Sequence, residues 1–319
     1  MSLSATSTIC VLGGSGFVGR HVCAALAARG LRLRVPTRDR DRAKHLTMLP
    51  TVDLLAADVH DPATLSRLLQ GCDAVINLVG VLHGGRGNAS FAAGHLALAK
   101  KLVAACRDTG VRRLLHMSSL NAAPGAPSEY LRTKGEAEAV VRESGLDYTL
   151  FRPSIVFGRE DNFLNLFAQM LKQFPLLIVP SAAARFQPVF VGDVARVFAD
   201  ALQQLDSIGQ SYDLCGPKAY TMLELAQFVA RTTGHDRLIV GADELLTNIM
   251  AVAMECLPGK LMSLDNVRSM TVDSVCSGGC TLPFGIAAAS VEATAPAWLG
   301  SHSPRGRYAL FRDRTRRAA

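Results

Sequence analysis

The chain has 319 residues, of which 49% are apolar and 19% charged, and its formal net charge is +7. This length and this apolar content suit a large α/β domain with an appended lobe, and they exclude a disordered polymer. The first apolar run, at residues 9–12, begins too early for a secretory signal, and no run reaches the ~20 residues of a membrane-spanning helix.

Short apolar runs alternate with amphipathic stretches through the first half of the chain. We predict strands at residues 9–12, 31–35, 52–56, 74–78, 113–117 and 148–151. We predict helices between them at residues 17–29, 40–48, 62–70, 91–109 and 129–144. Glycine follows four of these helices, where a left-handed residue is favoured, at positions 30, 71, 110 and 145. The alternation is typical of parallel strands joined by right-handed helical crossovers.

The alternation loosens after residue 153. Helices are predicted at residues 162–173, 193–205, 221–233 and 243–256, and short strands at 188–191, 211–215 and 237–241. Thr221 and Glu224 have the spacing of a capping box. We therefore expect an α/β protein with three parts. These are a Rossmann-type doubly wound parallel sheet over residues 1–153, a smaller α/β substrate or partner lobe over 154–300 that is partly interwoven with the sheet, and an irregular tail over 301–319.

The positive charge is concentrated in that tail. Residues 301–319 hold six arginines against the single acid Asp313, a net charge of +5, so the rest of the chain carries only +2. No basic face interleaved with aromatic residues is visible, and we expect no nucleic-acid partner. A solvated, disordered end explains the tail, and so does attraction to an anionic membrane surface or to an acidic partner. The eight cysteines form no CxxC pair, so we expect a reducing, cytoplasmic location rather than a disulfide scaffold, and no metal site.

A glycine-rich turn stands between the first predicted strand and the first predicted helix. It reads Gly13, Gly14, Ser15, Gly16, Phe17, Val18 and Gly19. The first glycine permits the tight turn, the next lets the backbone approach a pyrophosphate, and the last allows close packing of helix on strand. The amide groups at the start of the helix then face the anion. This pattern, in its strand–turn–helix context, predicts a dinucleotide site.

The residue after the second strand selects between the two nicotinamide cofactors. Sites that prefer NAD usually have an acid there for the ribose 2′-hydroxyl. Here Arg38 stands at that position and suits a 2′-phosphate, although Asp39 is adjacent. We predict that NADP(H) is favoured over NAD(H).

Tyr130 and Lys134 lie four residues apart at the start of a predicted helix, which places both side chains on one face. The ammonium group can lower the pKa of the phenol and hold the nicotinamide ribose hydroxyls, while the phenol exchanges a proton with a carbonyl. Ser118 or Ser119, after the fifth strand, would polarise that carbonyl. We assign this role to Ser118, and which of the two hydroxyls points inward stays open.

Six of the thirteen phenylalanines stand close together in the second half, at positions 157, 163, 167, 174, 186 and 190. A core for the smaller lobe explains them, and so does an apolar, quinone- or lipid-like substrate wall above the nicotinamide. His95 and His116 lie on predicted elements and are interpreted as packed residues.

These motifs resemble those of the extended and atypical short-chain dehydrogenase/reductases, also described as the NAD-dependent epimerase/dehydratase family. Five further segments narrow the resemblance: LHMSSLNA (115–122), SEYLRTKGEAE (128–138), FRPSIVFGREDNFLN (151–165), RFQPVFVGDVA (185–195) and LCGPKAYT (214–221). They are similar to the branch that contains the accessory alpha subunit of respiratory complex I, its bacterial relatives and accessory proteins of coenzyme-Q biosynthesis. The resemblance covers residues 8–300.

The resemblance implies a bound nicotinamide dinucleotide, with NADPH typical of the mitochondrial subunit. Matched by position, it implies further contacts beyond the glycine turn and Arg38. Asp58 and Val59 would lie by the adenine, Leu78, Val79 and Gly80 under the cofactor, and Pro153 and Ile155 beside the nicotinamide, with Ser118, Tyr130 and Lys134 as a triad-like set. The related subunit of complex I is generally regarded as holding its nucleotide structurally.

Three functional hypotheses follow from the sequence. The first is an NAD(P)(H)-dependent oxidoreductase, of the same superfamily as epimerases and dehydratases, that acts on an apolar carbonyl or alcohol through a Ser-Tyr-Lys site. The second is a non-catalytic, NADPH-bound accessory or assembly protein of a respiratory or ubiquinone-biosynthesis complex, located peripherally at a membrane. The third is a redox-sensing regulator, against which the intact tyrosine–lysine pair argues.

Overall fold

A computed structural model describes residues 7–82, 84–85, 87–235, 237–255, 262–278 and 281–300 of the chain. The strands are β1 (Thr8–Leu12), β2 (Arg32–Thr37), β3 (Val52–Ala56), β4 (Ala74–Asn77), β5 (Arg113–Met117), β6 (Asp147–Pro153), β7 (Val156–Phe157), β8 (Leu176–Val179), β9 (Arg185–Phe186), β10 (Val189–Phe190), β11 (Ser211–Leu214), β12 (Tyr220–Thr221) and β13 (Leu238–Gly241). The helices are α1 (Phe17–Ala27), α2 (Pro62–Leu69), α3 (Leu98–Thr109), α4 (Glu129–Arg142), α5 (Leu164–Gln173), α6 (Val191–Ala201), α7 (Met222–Thr233), α8 (Glu244–Glu255), α9 (Leu264–Ser269), α10 (Val291–Thr294) and α11 (Pro296–Leu299).

Seven of these strands form one parallel sheet in the order β11-β6-β5-β4-β1-β2-β3. Within it, Cys10 of β1 pairs with Arg34 of β2 on one side and with Val75 of β4 on the other. From β1 the chain builds outwards to β2 and β3, and it then crosses to β4 on the opposite side of β1. This reversal makes the sheet doubly wound and opens a crevice at the carboxyl ends of β1 and β4. The predicted Rossmann-type fold is confirmed.

Helices cover both faces of the sheet because successive residues of its strands point to opposite sides. Val11 of β1 packs in an apolar core with residues of α1 and α6. Its neighbour Leu12 packs on the other face with residues of α2, α3 and α4. The apolar burial on both faces fixes the sheet, and with it the positions at which the strands end.

A third apolar core forms from segments that follow β6, chiefly α5, α7, α11 and strand β8. Phe157, Phe167 and Phe186 are buried in it, and Phe163 and Phe190 pack against it. Phe174 is 52% exposed. The interpretation of the clustered phenylalanines as a core is therefore confirmed for five of the six.

Two segments that were predicted to be α-helices contain other helix types in the structure. The helix predicted at residues 40–48 is wrong, because only a 3-10 helix at Lys44–Met48 forms there. The Asp39 carboxylate accepts hydrogen bonds from the N–H groups of Asp41 and Arg42, at 2.9 and 3.2 Å, and this turn competes with a helix start. The helix predicted at 91–109 begins as a π-helix at Ala92–Ala97 and continues as α3.

The predicted helix boundaries are confirmed where a local physical signal marked them. Gly30, Gly71, Gly110 and Gly145 all have positive φ angles, from 69° to 78°. The capping box at the start of α7 is present. The predicted tail over 301–319 lies outside the described residues. Among the residues described, no helix combines the length and the apolar character required to cross a membrane.

One disulfide joins Cys215, directly after β11, to Cys276. The cysteine spacing does not predict this pair, because the two lie 61 positions apart and only the fold brings them together. The Gln187 side chain lies between their segments, where it donates to Gly216 O at 2.7 Å and accepts from Cys276 N at 2.9 Å. Four other cysteines in the described part of the chain, at positions 10, 23, 72 and 106, are buried free thiols.

Candidate active site

The residues predicted to bind a nucleotide gather at the carboxyl edge of the main sheet. Each group follows a strand: residues 13–19 follow β1, Arg38 follows β2, Asp58 and Val59 follow β3, residues 78–80 follow β4, Ser118 and Ser119 follow β5, and Pro153 ends β6. The carboxyl ends of parallel strands meet at one edge, and the crevice at the reversal of strand order is where such folds bind ligands. Topology alone therefore brings together residues that are more than 130 positions apart in the sequence.

The glycine turn leaves no room for side chains where the backbone must approach a ligand. Gly13 has a φ angle of +78°, and a Cβ atom there would lie 2.9 Å from the carbonyl carbon of Leu78. A Cβ atom on Gly19 would lie 2.2 Å from Gly13 O. Gly16 is the N-cap of α1, and no side chain of the described residues caps that helix. The free amide groups at the helix start therefore form a cradle that fits a pyrophosphate.

Asp39 and Asp58, near the end of the crevice predicted to bind the adenosine, both form hydrogen bonds within their own loops. The Asp39 carboxylate receives the two amides named above and pairs with the Arg42 guanidinium at 3.3 Å. The Asp58 carboxylate accepts from His60 N at 3.0 Å. Arg38 is exposed, and its guanidinium has no hydrogen bond or ion pair within the described ranges. The Arg38 guanidinium at this end of the crevice is thus available to bind a phosphate group.

Lys134 lies at the opposite end of the crevice, between the ends of β4 and β5. Its Nζ donates to Met117 O at 3.0 Å and lies 3.5 Å from the point where a Cβ atom on Gly80 would stand. The side chain is buried, and burial lowers the pKa of its ammonium group to about 8, although Glu138 opposes the shift. Its ammonium group therefore adjoins the turn that is predicted to lie under the cofactor.

Tyr130 stands one helical turn before Lys134 and is half-buried between aromatic rings. The rings of Phe91 and His95 lie 6.0 and 5.5 Å from its ring centroid. Burial raises the pKa of the phenol, and a hydrogen bond with the Ser119 side chain partly offsets that shift. Ser118 is buried, and its hydroxyl has no hydrogen-bond partner in the described part of the chain. Ser119 therefore affects the pKa of the phenol, while its Oγ donates to Leu120 O at 3.3 Å.

Backbone hydrogen bonds hold the two residues predicted beside the nicotinamide. Pro153 O accepts from Leu120 N at 3.0 Å, and Ile155 O accepts from Val189 N at 2.9 Å. Between them, Ser154 Oγ donates to Ser274 O at 2.7 Å. The segment around Ser274 therefore binds to the residues that follow β6. No local sequence pattern indicates this contact.

His95 is buried, as interpreted from the sequence, and both of its ring nitrogens also form hydrogen bonds. Its Nε2 accepts from Val81 N at 3.0 Å, so its Nδ1 carries the proton and donates to Thr133 Oγ1 at 2.9 Å. This fixes the imidazole beside Tyr130 and ties the turn after β4 to α4. Burial lowers the pKa of His95 to about 2. Its sequence context resembles that of any helical histidine, so sequence reasoning missed this role.

Asp265 of α9 is a second residue that the sequence analysis missed. Its carboxylate accepts from Glu129 N at 2.7 Å and from Tyr130 N at 3.1 Å, which caps the first turn of α4. A cavity of about 380 Å³ opens beside this cap, lined among others by Phe91, Asp265 and Arg268. Because Phe91 touches both the cavity and the Tyr130 ring, this cavity is the candidate route by which a substrate reaches the phenol.

We expect acid to destabilise the protein through two buried histidines. Burial lowers the pKa of His95 to about 2 and that of His116 to about 3. The folded protein holds both imidazoles neutral, whereas the unfolded chain binds protons below about pH 6.5, so the unfolded state gains stability as the pH falls. Between neutral pH and about pH 5, each histidine should lower the free energy of unfolding by about 2 kcal/mol.

Chemical denaturation across this pH range measures that loss. His95→Gln and His116→Gln variants should each show a shallower pH dependence than the parent protein, whatever their own stability. An unfolding free energy that stays constant from pH 7 to about pH 5 would contradict the assignment of two neutral, buried imidazoles.

Comparison with known proteins agrees with this geometry. A family model described as NAD(P)H-binding matches residues 13–163. The protein named NADH dehydrogenase (ubiquinone) 1 alpha subcomplex subunit 9, mitochondrial, from Arabidopsis thaliana is 29% identical over 283 residues, which cover 84% of this chain and 70% of that protein. The NAD(P)H azoreductase of Xenophilus azovorans is 26% identical over 226 residues, which cover 71% of this chain and 74% of that protein.

A solved structure shares the fold. The NADPH-dependent quinone oxidoreductase of Escherichia coli, in complex with NADPH, superimposes with a TM-score of 0.71 at 20% identity, over 91% of this chain and 99% of that chain. With the glycine cradle, these findings make the protein an NAD(P)H-binding protein of the Rossmann fold. Its similarity to the NADH dehydrogenase subunit supports the predicted resemblance to the branch of the atypical short-chain dehydrogenase/reductases that contains the accessory alpha subunit of respiratory complex I.

Proposed function

We propose that the protein is an NADPH-dependent oxidoreductase that reduces an apolar carbonyl compound, with quinones included in that class. The observation that carries the proposal is the phenol of Tyr130, which lies one helical turn from the buried Lys134 and interacts with Ser119. Two similar proteins support the proposal. The azoreductase relative is described as using NAD(P)H, and the quinone oxidoreductase of the same fold is described as NADPH-dependent.

The protonation states favour reduction over oxidation. Burial raises the pKa of Tyr130, so at neutral pH the phenol keeps its proton and can donate it to a carbonyl oxygen. Ser119 holds that oxygen by a second hydrogen bond, and the ammonium group of Lys134 stabilises the phenolate that remains. When bound, the reduced nicotinamide supplies the hydride for the carbonyl carbon. Phe91 and His95 keep the phenol in place and shield it from water.

Transfer of deuterium from NADPH labelled at C4 tests this function directly. The purified protein should oxidise NADPH with a short-chain ubiquinone analogue or an aromatic ketone, and the label should appear in the ketone's alcohol product. Mass spectrometry of nucleotide released from the purified protein identifies its natural cofactor. Binding of NADPH without its oxidation by any acceptor of this class would contradict the proposal.

We infer that Arg38 makes the protein prefer NADPH to NADH. Its uncommitted guanidinium suits the 2′-phosphate, and Asp39, the acid that would suit a ribose hydroxyl, is held by its own loop. Arg38→Ala should weaken NADPH binding by about ten- to a hundredfold and leave NADH binding unchanged, as measured by nicotinamide fluorescence titration. Arg40→Ala, an exposed arginine on the same loop, is the matched control. Equal losses for both cofactors would refute the role of Arg38.

A second function, as an NADPH-loaded accessory protein of a respiratory or ubiquinone-biosynthesis complex, is favoured by the 29% identity with the NADH dehydrogenase subunit across most of the chain. Pull-down from detergent-solubilised membranes, with and without residues 301–319, distinguishes it from free catalysis. Recovery of the free protein alone in both cases would count against this function.

A further inference from the structure

Helix α4 contains a buried carboxylate one helical turn beyond Lys134. Glu138 is 3% exposed, and its position four residues after Lys134 places both side chains on one face of the helix. Lys134 is bound to β5 through Met117 O, and Glu138 is bound to β6 through Arg152. The face of α4 that carries the ammonium group to the sheet therefore also carries an acid to it.

Arg152 of β6 binds this carboxylate with two nitrogen atoms. Its Nε donates to Glu138 Oε1 at 2.8 Å, and its Nη2 donates to Glu138 Oε2. Arg142, one turn further along α4, donates to the same Oε2 at 3.2 Å from a more exposed position. The planar guanidinium fits both carboxylate oxygens at once, so the pair has one favoured geometry. The carboxylate is thus held in place from the sheet as well as from its own helix.

Stability alone does not account for this ion pair. Both charges lose their hydration when they are buried, and apolar side chains of similar volume often stabilise a protein as well or better. The location of the pair indicates another role. Arg152 directly precedes Pro153, which is predicted beside the nicotinamide, and Glu138 follows Lys134 on α4. The pair therefore connects two sides of the candidate active site.

The other titratable groups around the Lys134 ammonium are neutral at neutral pH. Burial, and then the charge of Lys134, lower the pKa of His95 to about 2 and that of His116 to about 3. Tyr130 keeps its proton, because burial raises its pKa. Of the acids in the described ranges, Glu138 alone raises the pKa of Lys134 against the effect of burial. Glu138 is thus the source of negative charge for this ammonium group.

Three further acids on neighbouring elements are placed away from Lys134. Asp265 of α9 is bound to two backbone amide groups at the start of α4. Asp213 of β11 pairs in register with Arg152, and β6 separates it from the strand that binds Lys134. Asp108 of α3 comes before the start of β5, whereas Lys134 is bound at the end of that strand. None of them replaces the buried carboxylate.

We propose that Glu138, held by Arg152, is a positioning residue of this site, whose carboxylate keeps the ammonium group of Lys134 charged and directed at the ribose hydroxyls of the bound nucleotide. Burial favours the neutral amine, so the ammonium form persists at neutral pH only while negative charge lies close to it. A neutral amine would hold the ribose less tightly and would not stabilise a phenolate at Tyr130. The effect on hydride transfer rests on the proposed function, whereas the effect on nucleotide binding does not.

The pH dependence of NADPH binding tests this role without any turnover. In the parent protein the affinity should fall as the pH rises through about 8, where Lys134 loses its proton. In Glu138→Gln the fall should be centred at least about one pH unit lower, because the amide carries no charge. Fluorescence titration of the nucleotide between about pH 6 and about pH 9 measures both midpoints.

Three variants make the result specific to the buried charge. Glu136→Gln is the matched control, since it removes one acid from the same helix and Glu136 has no ion pair within the described ranges. Its midpoint should equal that of the parent. Glu138→Asp keeps the negative charge and should restore the parent midpoint. Glu138→Gln with Arg152→Gln leaves no buried arginine unpaired, so it serves if the single variant does not fold, and its midpoint should still lie below that of the parent.

Two results would overturn this inference. One is a folded Glu138→Gln protein, single or double, whose NADPH midpoint equals that of the parent, because a merely structural role would lower thermal stability without any shift of the midpoint. The other is an equal shift in Glu136→Gln, which would trace the effect to the net charge of the helix.

Failure of the proposed function gives a different result. A protein that binds NADPH with the expected midpoints but transfers no hydride keeps the role of Glu138 and is not the proposed reductase. A reductase whose binding midpoint and pH–rate profile are the same in the parent and in Glu138→Gln keeps the function and excludes this role for Glu138.

Discussion

Replacement of Tyr130 by phenylalanine should leave NADPH binding intact and lower the rate of carbonyl reduction by about two to four orders of magnitude. The substitution removes only the hydroxyl that adjoins Ser119, and it keeps the ring that packs against Phe91 and His95. Single-turnover oxidation of bound NADPH by a short-chain quinone or an aromatic ketone measures the loss. The dissociation constant of NADPH, from fluorescence titration, should change by less than about threefold.

Tyr212→Phe provides the control for this experiment. Tyr212 lies on β11, and its hydroxyl has no hydrogen-bond partner among the residues described. Removal of that hydroxyl should change neither rate nor affinity. If Tyr130→Phe reduced the carbonyl as fast as the parent protein, Tyr130 would not be the proton donor. Ser119→Ala should cost less than Tyr130→Phe and more than Ser118→Ala, since the interaction with Ser119 lowers the pKa of the phenol.

Substitution of Gly19 by alanine should weaken NADPH binding by at least about a hundredfold, because the added methyl group would displace α1 from the glycine turn. A Cβ atom at this position would lie 2.2 Å from Gly13 O and 2.6 Å from Gly14 Cα, both of them backbone atoms. The start of α1 and the turn after β1 would have to separate, and the amide cradle would lose its shape. Titration of the nucleotide and thermal unfolding in its absence measure the two consequences separately.

Two other glycines make this experiment decisive. Gly125→Ala is the matched control, since nothing lies within 4 Å of a Cβ atom there. Gly16→Ala tests the cradle even if Gly19→Ala fails to fold, because its Cβ atom would meet only Gly13 O, at 3.2 Å, at the exposed N-cap of α1. Unchanged NADPH affinity in a folded Gly16→Ala protein would show that the nucleotide binds elsewhere.

The two proposed functions make different demands on the same site. A reductase needs the phenol to lose and regain its proton in every turnover, so it needs a route by which substrates reach Tyr130. The cavity beside Phe91 and Asp265 is the candidate for such a route. An accessory protein needs only the glycine cradle and a bound nucleotide, and for it the loss of the Tyr130 hydroxyl would change nothing. The Tyr130→Phe variant therefore separates the two.

The strands, the helix ends and the short motifs depend on neighbouring residues, so they could be predicted from the sequence alone. Alternating apolar runs and helix stops predicted six strands of the sheet within a few residues, because burial on both faces and left-handed glycines leave marks at fixed spacing. The glycine turn and the Tyr130–Lys134 pair could also be recognised, because each is a short pattern of residues at fixed spacing. The helix predicted at residues 40–48 failed because Asp39 forms a competing turn.

The packing of whole elements determines which distant groups meet. It sets Ser119 against the phenol, brings Asp265 to cap α4 across 135 residues, and places His95 between the turn after β4 and Thr133. It also pairs Cys215 with Cys276 and leaves the outer side of α8 bare. A hydrogen bond or an exposed face of this kind arises only once the elements are assembled, and contacts across so many residues leave no periodic trace in the chain.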